Sequence, residues 1–154
     1  MPADFTPIPP PGFDIAGTFN GVTTAVGQGG VPRIRYQISG IPFRGRGLGA
    51  WAMRQVMNAG AGDEVALGSL HSRLATALAL VGGDPEVGMT QRLDDNRPDG
   101  FVLGRYKDRT SGAARFGAMA LVKSKAGLIE VLVTECETED AARDLAGAAM
   151  APYR

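Results

Sequence analysis

The segment GLIEVLVTE, residues 127–135, constrains the fold most, because its apolar residues occupy both faces of a strand. In an extended chain, successive side chains point to opposite sides. A strand with no polar face is typical of the middle of a sheet that other layers cover on both sides. The sequence therefore predicts a central strand here. Its apolar positions are Ile129, Val131 and Val133 on one face and Leu128 and Leu132 on the other.

Residues 13–39 predict a three-stranded meander. Asn20-Gly21 lies between FDIAGTF and VTTAVG and favours a tight hairpin, because both residues tolerate positive φ. The following segment VPRIRYQI alternates apolar and polar residues, as a half-buried strand does.

Helical periodicity appears in three later segments, residues 47–59, 70–81 and 139–151. Ser69 is placed to cap the second helix, which should end at Gly82-Gly83, and Thr138 is placed to cap the third. Alanines on one side of the last helix allow it to approach a sheet closely. Residues 83–100 are polar and acidic, and we predict a loop.

These elements, with two further strand segments at FVLGRYKDR and AARFGAMALVKS, predict an α+β fold. The expected order is βββ-αα-βββ-α, with a mainly antiparallel sheet of about six strands backed by helices. The chain has 154 residues, which fits one domain over residues 13–154. The proline-rich residues 1–12 are expected to form an N-terminal tether.

Composition excludes several classes of function. The formal net charge is zero, which argues against a nucleic-acid coat protein and makes nucleic acid a disfavoured partner. A single cysteine and a single histidine leave no set of ligands for a Cys/His zinc site, and we predict no metal and no cofactor. No apolar run reaches the length of a membrane span, and no leader peptide is visible, although a leader already removed would leave the same sequence.

The segment FRGRGLGAW is the strongest candidate for a binding loop. Glycine amides without side chains, followed by a helix N-terminus, can hold a small anion. The candidate residues are Arg44, Gly45, Arg46, Gly47 and Gly49. The alternative, which we favour, is a plain turn between a strand and a helix with arginines on the surface.

The same loop resembles the pyrophosphate loop of the acetyl-CoA-dependent N-acyltransferase superfamily. Arg44, Gly47 and Gly49 match its R-x-x-G-x-G pattern. The resemblance implies that the loop amides hold the CoA pyrophosphate and that the chain transfers an acyl group. The family normally has several strands and two helices before this loop, whereas only about 30 structured residues precede it here.

Charge is distributed unevenly near the C-terminus. Residues 101–126 carry six cations and one anion, and residues 127–154 carry six anions and two cations. Arg105, Lys107 and Arg109 share one face of a strand by alternation, and we predict that they mark a basic, exposed edge of the sheet. Such an edge either binds an anionic surface or, as we favour, discourages aggregation between strands.

Three other candidates have simpler interpretations. His71 is expected at the surface, because no nucleophile is tied to it by local sequence. Cys136 lies between Glu135 and Glu137, whose charges would raise a thiol pKa, so we interpret it as structural. The segment DDNRPDG is rejected as a calcium loop because Arg97 occupies a position that needs an oxygen ligand.

The sequence therefore favours a non-enzymatic binding or accessory domain whose partner is a protein or a second copy of the chain. Its order of elements is similar to that of the small sandwich domains of the photosystem accessory protein PsbP, which implies an assembly or accessory role. The alternatives are the acyl-CoA-dependent acyltransferase using residues 44–49 and an anion-surface binder using strands 105–125. No residue pattern in the sequence indicates a particular chemical reaction.

The acyltransferase alternative makes a direct prediction. If the loop holds CoA, acetyl-CoA binds with micromolar affinity and Gly47→Val abolishes binding, because a side chain would block the loop amides. Isothermal titration measures both. Absence of heat with the wild-type protein would contradict the acyltransferase hypothesis.

Overall fold

A computed structural model describes residues 6–39, 67–93, 99–124 and 127–154. The strands are β1 Asp14–Phe19, β2 Val22–Val26, β3 Arg33–Ser39, β4 Gly83–Val87, β5 Gln91–Arg92, β6 Gly100–Lys107, β7 Ala114–Ser124 and β8 Gly127–Cys136. The helices are α1 Leu70–Val81 and α2 Glu139–Met150, with short 3-10 turns at Gln28–Gly30 and Ala151–Tyr153.

The strands form one sheet in the order β1-β2-β3-β8-β7-β6-β4, and β5 also pairs with β6. Every pair of neighbouring strands is antiparallel. The predicted α+β class with an antiparallel sheet is therefore confirmed. β8 lies between β3 and β7, which confirms the prediction of a central strand.

Among the described residues, one helix packs on each side of the sheet. Leu70, Leu74 and Leu78 of α1 pack on the side formed by alternate residues of β6, β7 and β8, which we call the α1 face. α2 packs on the other side, the α2 face, against the intervening residues of the same strands. The alternating apolar residues of β8 fall into the two separate cores as expected. They are Leu128 and Leu132 on the α1 face, and Ile129, Val131 and Val133 on the α2 face.

Local sequence explains the end of α1 and the start of α2. Ser69 holds the predicted N-cap position of α1, but its side chain makes no capping hydrogen bond. At the end of α1, the backbone N–H of Gly82 donates to the Leu78 carbonyl. The Thr138 hydroxyl accepts a hydrogen bond from the Ala141 N–H at the start of α2. The buried side of α2 is rich in alanine, which lets the helix lie close to the sheet. Its buried residues are Ala142, Ala146, Ala149 and Met150.

A pair of glycines makes room for α1. Gly104 of β6 and Gly117 of β7 lie directly opposite each other in the sheet. A Cβ at Gly104 would lie 2.6 Å from Leu78 Cδ1, and one at Gly117 would lie 3.0 Å from Leu78 Cδ2. Leu78 therefore occupies the space that two side chains would otherwise fill, and the helix approaches the sheet more closely.

Part of the loop predicted over residues 83–100 is wrong, because β4 and β5 form within it and raise the strand count to eight. Pro85 and the flanking acidic residues carry weak strand propensity. Their pairing with β6 supplies the backbone hydrogen bonds that local sequence does not predict. The helix predicted over residues 47–59 lies outside the described residues.

The N-terminal residues 6–12 lie against the domain without forming a helix or strand. Pro7 and Pro10 are buried, and the Ile8 N–H donates to the Tyr153 hydroxyl at 2.8 Å. These contacts join the start of the described chain to its C-terminal end.

The glycine pair generates a stability prediction. Gly104→Ala should lower the free energy of unfolding by about 1–3 kcal/mol, because the new methyl group overlaps the Leu78 side chain. Urea denaturation followed by circular dichroism measures the change.

Gly147→Ala is the matched control, since Gly147 lies exposed on α2 and a Cβ there meets no atom within 4 Å. This substitution should be neutral or stabilise the protein by up to about 1 kcal/mol through helix propensity. Equal effects of the two substitutions would contradict the packing argument.

Candidate interaction surface

Strand β1 forms one end of the sheet, and all six of its residues are exposed. No strand in the described ranges pairs with its outer edge. Two large apolar side chains on this strand face solvent, Ile15 at 43 % and Phe19 at 79 % exposure. A strand edge with unpaired backbone groups and exposed apolar side chains is a template for pairing with another chain.

The register of the sheet assigns the β1 side chains to faces. Gly17 lies opposite Thr24 of β2, Thr24 opposite Arg35 of β3, and Arg35 opposite Leu132 of β8. Residues directly opposite each other in an antiparallel pair share a face. Because Leu132 packs on the α1 face, this whole row lies there. Phe19, two residues beyond Gly17, shares the same face.

A hollow of about 630 Å³ lies on this part of the α1 face, and we call it the β1 hollow. The Arg35 side chain is exposed, and it has no hydrogen bond or ion pair with any other described residue. The hollow thus combines an aromatic ring, a glycine floor and a guanidinium. Its lining includes Gly17, Phe19, Val22, Thr24 and Arg35.

The opposite edge of the sheet, β4, is protected against pairing. Pro85 removes a backbone donor, Asp84 and Glu86 add charge, and the register shifts between Gly83 and Glu86. β1 has only a register shift between Ile15 and Gly17, and its one charged residue, Asp14, is at its start. The two edges therefore differ in how well they resist another strand.

The predicted basic edge is wrong in its position, because β6 lies inside the sheet between β7 and β4. Arg105 pairs with Glu86 at 3.0 Å and Lys107 with Asp84 at 3.4 Å. The predicted shared face is correct for Arg105 and Lys107 and wrong for Arg109, because β6 ends at Lys107. The acidic residues of β4 were assigned to a loop.

Arg109 has a different role from the other two cations. Its guanidinium donates to the carbonyls of Ala79 at 2.7 Å and Gly82 at 3.3 Å, at the C-terminal end of α1. A cation at this end of a helix is favourable because the last carbonyls carry partial negative charge. Binding of an external anion by these side chains stays a prediction. The glycine-loop candidates at residues 44–49 lie outside the described residues.

Cys136 is buried in the core of the α2 face with 1 % exposure. Burial raises the pKa of its thiol from the ordinary value of 9.0 to about 11. The thiol therefore stays protonated at neutral pH and is a poor nucleophile. The expected direction of the pKa shift is correct, but the cause is burial rather than the neighbouring carboxylates. His71 is exposed on α1.

Two buried carboxylates were missed by the sequence analysis. Glu130 of β8, 6 % exposed, pairs with Arg73 of α1. Asp99, fully buried, accepts the Lys123 backbone N–H at 3.0 Å and pairs with Arg154 at 3.3 Å. Glu130 was detectable as the one charged residue within an otherwise apolar run, since a buried charge requires a partner. Both pairs join a distant part of the chain to the sheet.

Within the four described ranges, no group of three or more His, Cys, Asp or Glu side chains is placed to hold a metal ion. Among the same residues, no helix is long and apolar enough to cross a membrane. Comparisons with models of protein families, with curated proteins and with solved structures found no match to this chain.

The Glu130–Arg73 pair generates the next prediction. Arg73→Ala should lower the free energy of unfolding by roughly 3 kcal/mol, because it leaves a buried carboxylate without its cation. The double variant Arg73→Met, Glu130→Leu should recover most of this loss, since both charges leave together. Urea denaturation of the three proteins tests the prediction, and a double variant no more stable than Arg73→Ala would contradict it.

Burial of Cys136 predicts a pH dependence. Between pH 9 and about 11 the folded protein keeps the thiol proton that the unfolded chain loses, so stability should fall as pH rises through this range. One proton contributes a slope of up to about 1.4 kcal/mol per pH unit.

Cys136→Ala should remove the contribution of the thiol to the pH dependence of the free energy of unfolding. The contribution of the buried tyrosines should remain. Urea denaturation at several pH values measures both slopes. Identical slopes for wild type and variant would show that the thiol titrates alike in the folded and unfolded chains.

Proposed function

We propose that this chain is a non-enzymatic interaction domain that binds a polypeptide in extended conformation along the edge of β1. The observation that carries the proposal is that every residue of β1 is exposed at an end of the sheet, with Ile15 and Phe19 facing solvent. In this mode of recognition, main-chain hydrogen bonds provide affinity and side chains on alternate positions provide specificity.

The hairpin turn indicates which backbone groups are available. Asn20 and Gly21 both have positive φ, at 50° and 78°, as a two-residue hairpin turn requires. In such a turn the carbonyl of Phe19 accepts from the N–H of Val22, so the groups of Phe19 point towards β2. By alternation, the N–H and C=O of Thr18 point outward, towards an incoming strand.

The side chains of β1 provide a basis for selection. Phe19 stands on the α1 face beside the β1 hollow, whereas Ile15 lies opposite Ala25 on the α2 face. A bound strand that carries an apolar residue on each of its faces would therefore contact Phe19 on one side and Ile15 on the other. The Thr18 and Thr23 hydroxyls, 2.9 Å apart, hold the hairpin that presents this edge.

The contrast between the two edges supports a functional interpretation of β1. β4 has a proline, charged residues and an irregular register, which hinder pairing with another strand. β1 has few of these protective features. An edge left open in this way fits a surface that is used for binding.

The proposal predicts the outcome of a peptide-display selection against the immobilised protein. Enriched peptides should carry apolar residues on both faces of an extended strand, and their binding should increase the protection of amide hydrogens in residues 14–19, measured by hydrogen exchange. Phe19→Lys should weaken binding at least about tenfold, because it removes an apolar contact and adds a charge at the edge.

Leu80→Lys provides the matched control, since Leu80 is 75 % exposed on α1, away from β1. It removes an exposed apolar side chain and adds the same charge, and it should leave binding unchanged. Peptides that protect another part of the chain, or that bind the Phe19→Lys variant equally well, would refute the proposed function.

A further inference from the structure

We propose that the polypeptide bound at the β1 edge is a second copy of this chain. The inference rests on the proposed function and specifies its partner. Two β1 strands would pair antiparallel around a twofold axis that passes beside Thr18, joining the two sheets edge to edge. A twofold interface uses the same surface on both copies, so β1 must be complementary to itself.

The backbone meets this requirement at Thr18. The turn at Asn20-Gly21 directs the N–H and C=O of Thr18 outward. In an antiparallel pair, two residues opposite each other exchange both hydrogen bonds when both present their groups to the partner. Thr18 and Thr18 of the second copy therefore form a symmetric hydrogen-bonded pair.

This register places Phe19 opposite Gly17 of the second copy, on the α1 face of both sheets. A Cβ built at Gly17 meets no atom within 4 Å, so the space above this glycine is open. The Phe19 ring of the second copy would fill it. An aromatic ring over a cross-strand glycine supplies the packing that the glycine lacks.

The β1 hollow extends from the space above Gly17 along the row of cross-strand neighbours. Gly17 lies opposite Thr24, and Thr24 opposite Arg35. A ring that lies over Gly17 therefore faces the exposed guanidinium, for which the described residues supply no partner. A guanidinium at the face of an aromatic ring is a favourable contact. The hollow is thus completed by a residue of the second copy.

Charge and size are also consistent with self-pairing. The one ionisable residue of β1, Asp14, lies four positions from the axis, so no like charges stand opposite each other. The register shift between Ile15 and Gly17 limits regular pairing to a few residues on each side. Small interfaces, below about 1,200 Å² in total, are typical of weak association, so we expect a dimer that forms at micromolar concentrations.

Disulfide trapping tests both the dimer and its register. Opposed residues of a hydrogen-bonded antiparallel pair have Cα atoms about 5.5 Å apart, within the range that a disulfide spans. Thr18→Cys should form covalent dimers under mild oxidation at least about tenfold faster than Thr110→Cys, a threonine exposed in the turn between β6 and β7. The buried Cys136 should not contribute.

A mixture of two variants distinguishes this register from others. Gly17→Cys and Phe19→Cys should crosslink to each other faster than either crosslinks to itself, because the proposed pairing places these two positions opposite. Sedimentation velocity of the wild type should show a concentration-dependent dimer that Phe19→Lys abolishes and Leu80→Lys retains.

Equal rates for Thr18→Cys and Thr110→Cys, or a monomer at all concentrations, would overturn the dimer. The peptide selection then decides the proposed function separately. If a monomeric protein binds peptides along β1, the proposed function is correct and the partner is a different polypeptide. Failure of both experiments would reject the edge as a binding surface.

Discussion

The burial of β8 on both faces explains the arrangement of the layers around it. A strand with Leu128 on one side and Ile129 on the other needs a cover on each side, and α1 and α2 provide the two covers. Central placement also explains Glu130, whose carboxylate is carried into the core by the strand and is compensated by Arg73 from α1. The position of α1 is set both by this pair and by the space above the glycines that face Leu78.

From β8 towards β1, the sheet becomes progressively less covered. β3 and β2 bury alternate residues such as Ile34, Tyr36 and Ala25 against the α2 face, whereas every residue of β1 is exposed. The two edges of the sheet therefore differ chemically. The β4 edge carries a proline and charged residues that pair with β6. The β1 edge carries Phe19 near Gly17, and the space above this glycine is open. Our proposals about binding follow from that difference.

Local sequence predicted most of the elements because their signals are local. The Asn20-Gly21 turn, the Thr138 cap and the two-sided apolar pattern of β8 each depend on a few neighbouring residues, and each is confirmed. β4 was missed because its residues have poor strand propensity and become a strand through pairing with β6. For the same reason Arg105 was placed at an edge, although its neighbour Glu86 comes from a segment interpreted as a loop.

Local patterns in the sequence predict both described helices, six of the eight strands and the apolar faces of these elements, since periodicity and capping act over a few residues. Which strand is an edge, in contrast, depends on the assembled sheet. Edge status depends on pairing between segments far apart in the chain, such as β3 with β8, and no local pattern encodes it. The exposure of Phe19 beside Gly17 and Arg35 therefore became visible only when the whole sheet was assembled.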